Sequence, residues 1–141
     1  MIDSVVQWIV NLGLGYTTGV NVFSGFIPSK RSDETEVPDR ILLIADSASS
    51  AVYFDVRDRV DFLVQFLNRS RNKAECNSDA KIIFDRIHGK CGINLPDRDE
   101  GSGRLYVSMT VEANQAPQSV GQDEKRRFLY STNYIFRIRN G

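Results

Sequence analysis

The sequence predicts an α+β domain spanning residues 1–141: a four- to five-stranded, mainly antiparallel sheet with two helices packed on one face. Three observations lead there. Val5, Trp8, Ile9 and Leu12 recur at i, i+3, i+4 and i+7, which is one apolar stripe of a helix. Cys76, Ala80, Ile83, Phe84 and Ile87 form a second such stripe. Between and after them, apolar residues alternate: Val60, Phe62, Val64 and Phe66, then Phe128, Tyr130, Thr132, Tyr134, Phe136 and Ile138. That period of two belongs to strands with one face on a core.

Taken in order, Asp3 or Ser4 is suited to cap the first helix, and Gly13 and Gly15 stop it. Val22 to Ile27 reads as a short strand ended by Pro28. Residues 29–39 are polar and highly charged, so they read as an exposed loop. The apolar run Ile41 to Ala45 fits a central strand, and residues 47–53 look like a connection. Asn72 caps the second helix and Gly89 closes it. Residues 96–103 read as a charged hairpin loop, followed by a strand from Leu105 to Val111 rich in β-branched and aromatic residues. Residues 114–126 form another polar loop before the long final strand from Phe128 to Ile138.

The chain has 141 residues, the size of one domain, and 41% of them are hydrophobic, enough for an ordinary core. Eighteen basic and 18 acidic residues cancel. That balance argues against non-specific wrapping of nucleic acid, which needs cations in excess. It also removes the self-repulsion that keeps molecules apart, a pointer toward assembly. The first residues, Met1-Ile2-Asp3-Ser4, lack a basic n-region, and the apolar run that follows is too short to span a bilayer. No export signal and no membrane partner are therefore expected. Cys76 and Cys91, the only cysteines, are expected to be free thiols, with Cys76 buried as a small hydrophobe.

No residue set supports an enzyme. Gly13-Leu14-Gly15 follows a helix, whereas phosphate-binding glycine loops follow a strand and open a helix. His88 is the only histidine. With Cys76 and Cys91 it offers three ligands without the paired knuckles of a zinc site, and its place in the last helical turn suits a cation on the macrodipole. The serines at 47, 49 and 50 lie in no nucleophile elbow. Asp97, Asp99 and Glu100 lack the closing Glu of a calcium loop. No cofactor, metal or catalytic residue is expected.

Two stretches carry a family resemblance. The strand Asp61 to Asn68, followed by Arg69-Ser70 and a helix closing in Ile83-Phe84-Asp85-Arg86-Ile87-His88-Gly89, resembles the central strand and helix of phage minor capsid and tail-terminator proteins. In that family a strand ends near a proline, passes through a G-x-D-x-x-x-R turn and returns as a long strand. Here Pro117 precedes the turn, and Gly121, Asp123 and Arg127 fill it. The resemblance covers most of the chain as a pattern of elements. The chain departs from it in the charged insertion at 29–38 and the longer loop at 96–103.

What the resemblance implies is a non-catalytic virion protein of a long-tailed bacteriophage, assembled in the host cytoplasm. It implies a hexameric ring that caps the head-proximal end of the tail tube, ends its polymerisation and joins it to the neck. The partners are then other copies of the chain, the tail tube protein and the neck or head–tail connector protein, with DNA passing through the lumen. The expected interface residues are Lys30, Arg31, Asp33, Glu34, Gln115, Gln118, Asp123, Lys125 and Arg126. Two alternatives stay open. One is a neck or head-completion subunit of the same virion. The other is a small nucleic-acid-binding module using Lys30, Arg31, Arg69, Arg71 and Lys73.

Overall fold

Ten elements run along the chain in the computed structural model, which describes residues 2–28, 30, 35–46, 51–52, 59–95 and 106–140. They are α1 (Ile2–Asn11), β1 (Val22–Ser24), β2 (Ile41–Asp46), β3 (Ala51–Val52), β4 (Arg59–Ser70), α2 (Lys73–Ile87), β5 (Cys91–Leu95), β6 (Tyr106–Ala113), β7 (Gln118–Gln122) and β8 (Phe128–Asn140). The expectation of a four- to five-stranded, mainly antiparallel sheet is overturned. The described residues form one eight-stranded mixed sheet in the order β1-β2-β4-β8-β6-β5, with β3 on β4 and β7 on β8. It curls into a half-barrel, the shape that twist gives long strands such as β4 and β8.

Three added strands enlarge the sheet, and one parallel pair makes it mixed. Residues read as connections pair instead: β3 adds to the start of β4, and β7 to the start of β8. Cys91–Leu95 joins β6 as a hairpin partner. And β1 runs parallel to β2, with Val22 beside Leu42 and Ser24 beside Ile44. Parallel neighbours need a crossover, not a tight turn. The charged segment between Ser24 and Ile41 is that crossover.

The core lies on one face of the sheet. Phe62, Val64 and Phe66 of β4 stand beside Phe136, Tyr134 and Thr132 of β8, and all six are buried. Phe66 meets Tyr134 edge-on at 4.8 Å between ring centroids. From α1, Val5, Val6, Trp8 and Ile9 enter this cluster, and from α2, Ile83 and Ile87. Each such aliphatic side chain contributes about 1.5–3 kcal/mol when taken fully out of water. The opposite face carries Leu63, Leu67 and Ile135, which are only half-buried.

Asn72 caps α2 by accepting the Glu75 N–H at 3.2 Å, and Gly89, at φ 81°, turns the chain out of it. Phe84, on the predicted apolar stripe, is half-exposed and stacks on His88. The N-terminal helix differs from expectation. It already includes Asp3 and Ser4, so neither is its cap. Asp3 instead accepts a hydrogen bond from the Ser24 hydroxyl at 2.9 Å, tying α1 to β1.

Candidate functional site

A highly charged junction lies where β4 ends, β8 begins and the crossover passes between them. Its first component is the turn joining β7 to β8. Gly121 and Arg126 both take positive φ, 99° and 61°, which lets the chain reverse. Asp123 organises the turn. Its Oδ1 accepts the N–H groups of Lys125 at 3.0 Å and Arg127 at 2.9 Å, while its Oδ2 accepts the Arg127 Nε–H at 2.7 Å. The G-x-D-x-x-x-R pattern therefore has a local mechanical meaning. The glycine permits the bend, the aspartate fills its donors, and the arginine is held by the aspartate.

Arg127 then reaches across the chain to Asp39, Nη1 to Oδ1 at 3.3 Å. The other oxygen of Asp39 pairs closely with Arg71. Arg69, only 5% exposed, donates from Nε to the Asp39 carbonyl at 3.0 Å and from Nη2 to the Pro38 carbonyl at 2.9 Å. Three arginines thus pin the crossover to β4 and to the turn. A cleft of about 300 Å³ opens beside them, lined by Ile27, Pro28, Glu36 and Val37 on one side and by Arg69, Lys125 and Arg127 on the other.

The charges tune one another. Hydrogen bonding to Arg71 is the main influence on Asp39 and, with Arg127, holds its carboxyl below the usual range against the opposing effect of burial. For Asp123 burial is the largest influence and acts upward, but the bonds from Arg127 and Lys125 together outweigh it, so its carboxyl too lies low. Burial, then repulsion from Arg127, push Arg69 down from the ordinary guanidinium value. It stays charged, since a guanidinium titrates far above neutrality.

A second cleft, of about 290 Å³, lies between the α1–β1 connection and the start of β2. There Arg40 grips Asp79 of α2 with two bonds, Nε to Oδ2 at 2.8 Å and Nη2 to Oδ1 at 2.6 Å. Tyr16, in the same cleft, has its hydroxyl pushed up to about 12 by burial and by the Asp79 charge. Asn21 stitches the connection by accepting from Thr17 N–H and donating to the Gly15 carbonyl. Among the described residues lining it, Arg40, Asp79 and Asn21 are all engaged in these bonds.

The sequence-predicted interface residues distribute unevenly. Lys30 is exposed and bridges to Glu36 through the backbone. Arg31, Asp33 and Glu34 lie outside the described residues. Gln115 and Gln118 are exposed and bond to each other at 3.3 Å. Lys125 lines the cleft, and Arg126 is exposed on the turn. Asp123 is engaged within the turn itself. Lys125 and Glu36, from two loops far apart in sequence, both line the cleft. In the sequence, Arg69 and Arg71 are candidates for nucleic-acid contact, Arg69 also lies in the stretch that carries the resemblance, and Asp39 is assigned no role beyond the charged loop. The available signal was two arginines continuing an apolar strand, which implies a partner for any arginine drawn into the sheet's end.

Other candidates resolve structurally. His88 is exposed, its Nδ1 accepts the Ala113 N–H at 3.0 Å, and its ring stacks on Phe84. Cys76 is buried, with its thiol donating toward the Asn68 carbonyl at 3.2 Å, while Cys91 is exposed. Among the described residues no group of three His, Cys, Asp or Glu side chains could hold a metal ion. No helix among them is long and apolar enough to cross a membrane. In comparisons with known proteins, no family model matches the chain and no curated protein matches it.

Proposed function

We propose that this chain is a ring-forming structural subunit of a phage tail, a tail terminator that caps the tube and joins it to the neck. The observation that carries the reading is β7. Its five residues, Gln118 to Gln122, are all exposed and uncharged, and among the described residues they pair only with β8. An open strand edge offers unpaired N–H and C=O groups to a neighbour, and monomeric proteins usually guard such edges with charge or proline. Here Val120 is 55% exposed in its middle. A closed ring needs one patch that meets a different patch on the next copy, and an open edge beside a charged cleft suits the first role. The head-completion alternative shares this logic but has other partners. The nucleic-acid alternative loses support, because Arg69 and Arg71 are committed to the crossover.

Native mass spectrometry with electron microscopy of the same sample tests the reading. Six copies in a closed ring are expected, at assembly concentrations if not at dilution. Val120 has no register partner on β8. Val120→Pro should abolish the ring while leaving the folded monomer, because a proline within the edge strand removes a main-chain donor and blocks pairing with a neighbour. A monomer at every concentration, or a closed dimer, contradicts the proposal.

A further inference from the structure

We infer that His88, the sole histidine, is a proton-sensitive cap on the edge of the sheet. Neutral, it closes the last outward N–H of β6; as an imidazolium it releases that donor. The cap belongs to the single chain and holds whether or not copies form a ring.

The edge is covered in steps. β4 lies along one side of β8 from Arg59 to Ser70, so β6 and β7 share the other side, one after the other. β5 covers the outer edge of β6 as far as the pair Cys91 and Thr110. The chain before β5 then takes over. Gly89 N–H donates to the Val111 carbonyl and Val111 N–H to the Lys90 carbonyl, both at 2.8 Å. On the inner side, Asn114 N–H donates to the Asn133 carbonyl of β8 at 2.8 Å. Ala113 lies between these two, and its N–H points outward, to His88 Nδ1 at 3.0 Å. Beyond it β7 is exposed throughout. An unpaired edge is what a neighbouring chain adds to, and a side chain here stands where a strand partner would.

The chemistry of this bond makes it conditional. A backbone N–H donates, so Nδ1 presents its lone pair and the proton of the neutral ring sits on Nε2. An imidazolium has N–H on both nitrogens and accepts nothing, so two donors would face each other. Histidine is the side chain whose ordinary titration falls between pH 5 and 8. Stacking on Phe84, with centroids 4.9 Å apart and planes 10° from parallel, holds the ring in place and confines the change to the Ala113 donor. The charged groups beside the ring in sequence or on the adjoining strands are Asp85, Arg86, Lys90, and Glu112 with its partner Arg137. Hydrogen bonding from Arg137 holds the Glu112 carboxyl below the usual carboxylate range, so Glu112 stays charged across that window. With His88 charged, the open edge begins at Ala113 and not at β7.

The test is amide hydrogen exchange of the full chain between about pH 8 and about pH 5, each rate corrected for its intrinsic pH dependence. Protection of the Ala113 amide should fall roughly fivefold on acidification, the scale of one net hydrogen bond. Val111 and Asn114, whose N–H groups meet carbonyls, should keep theirs. His88→Ala should show the low Ala113 protection already at the higher pH and no further fall, while Glu112→Gln should keep the fall. Nitrogen signals of the neutral imidazole should place its proton on Nε2. A proton on Nδ1, constant Ala113 protection, or a fall shared equally by Val111 and Asn114 overturns the cap. So does a fall that persists in His88→Ala or vanishes in Glu112→Gln.

Discussion

Asp123 and Arg127 stand four residues apart and hold each other three times: the Asp123 carboxylate accepts from the Arg127 backbone N–H and from its guanidinium, and the Asp123 N–H donates to the Arg127 carbonyl. The pair is mostly withdrawn from water, and Arg127 spends its remaining reach on Asp39 at the far end of the crossover. The turn that the family resemblance picks out is thus a clamp that links the last hairpin to the loop between β1 and β2.

Breaking that clamp should be costly. Asp123→Ala removes the acceptor of three hydrogen bonds and leaves Arg127 without its closest partner, so we expect a loss of about 2–3 kcal/mol in urea denaturation. Asp123→Asn should lose less, since an amide oxygen can still accept the two backbone N–H groups.

Stability should also fall in acid. The folded carboxyls of Asp39 and Asp123 lie below the unfolded value of about 3.9. The stabilisation is therefore complete above that value and is lost as pH falls through the lowered folded values. Urea midpoints should hold between pH 7 and about 5 and drop toward pH 3, with a shallower drop in Asp39→Asn.

The two cysteines should separate cleanly. Cys91 is exposed, whereas burial, aided by the Asp79 charge, pushes the Cys76 thiol up to about 11. Alkylation of the native protein at pH 8 followed by peptide mass mapping should label Cys91 alone. Both should react after denaturation. Labelling of Cys76 at a comparable rate shows that α2 does not seal it.

Trp8 is the sole tryptophan and meets Phe136 edge-on at 5.8 Å. Its emission should therefore report the docking of α1 on the sheet. Phe136→Ala should red-shift the emission and destabilise by about 3–5 kcal/mol, the usual cost of removing a buried ring.

Where a long apolar stripe or alternation exists, the sequence is readable. Asn72 and Gly89 bracket α2, and the even positions of β4 and β8 face the core because each is flanked by polar or half-exposed neighbours. The missed strands have no such pattern. Gln118 to Gln122 is exposed throughout, so its pairing with β8 leaves no hydropathy trace. Cys91–Leu95 is short and interrupted by Gly92. The parallel placement of β1 beside β2 depends on contacts between separate segments, which local sequence does not encode. The same holds for the cleft. Lys125 and the charged crossover are visible as polar loops, but the long-range links from Arg69 and Arg127 to the crossover are tertiary facts.

Tail length in a phage lacking this protein tests the central claim most directly. With the gene inactivated, electron micrographs of lysates should show filled heads beside unattached tails of irregular or excessive length. The wild-type chain should restore joined particles of uniform tail length, and Val120→Pro should not. Tails of normal length attached to heads in the absence of the protein contradict the account.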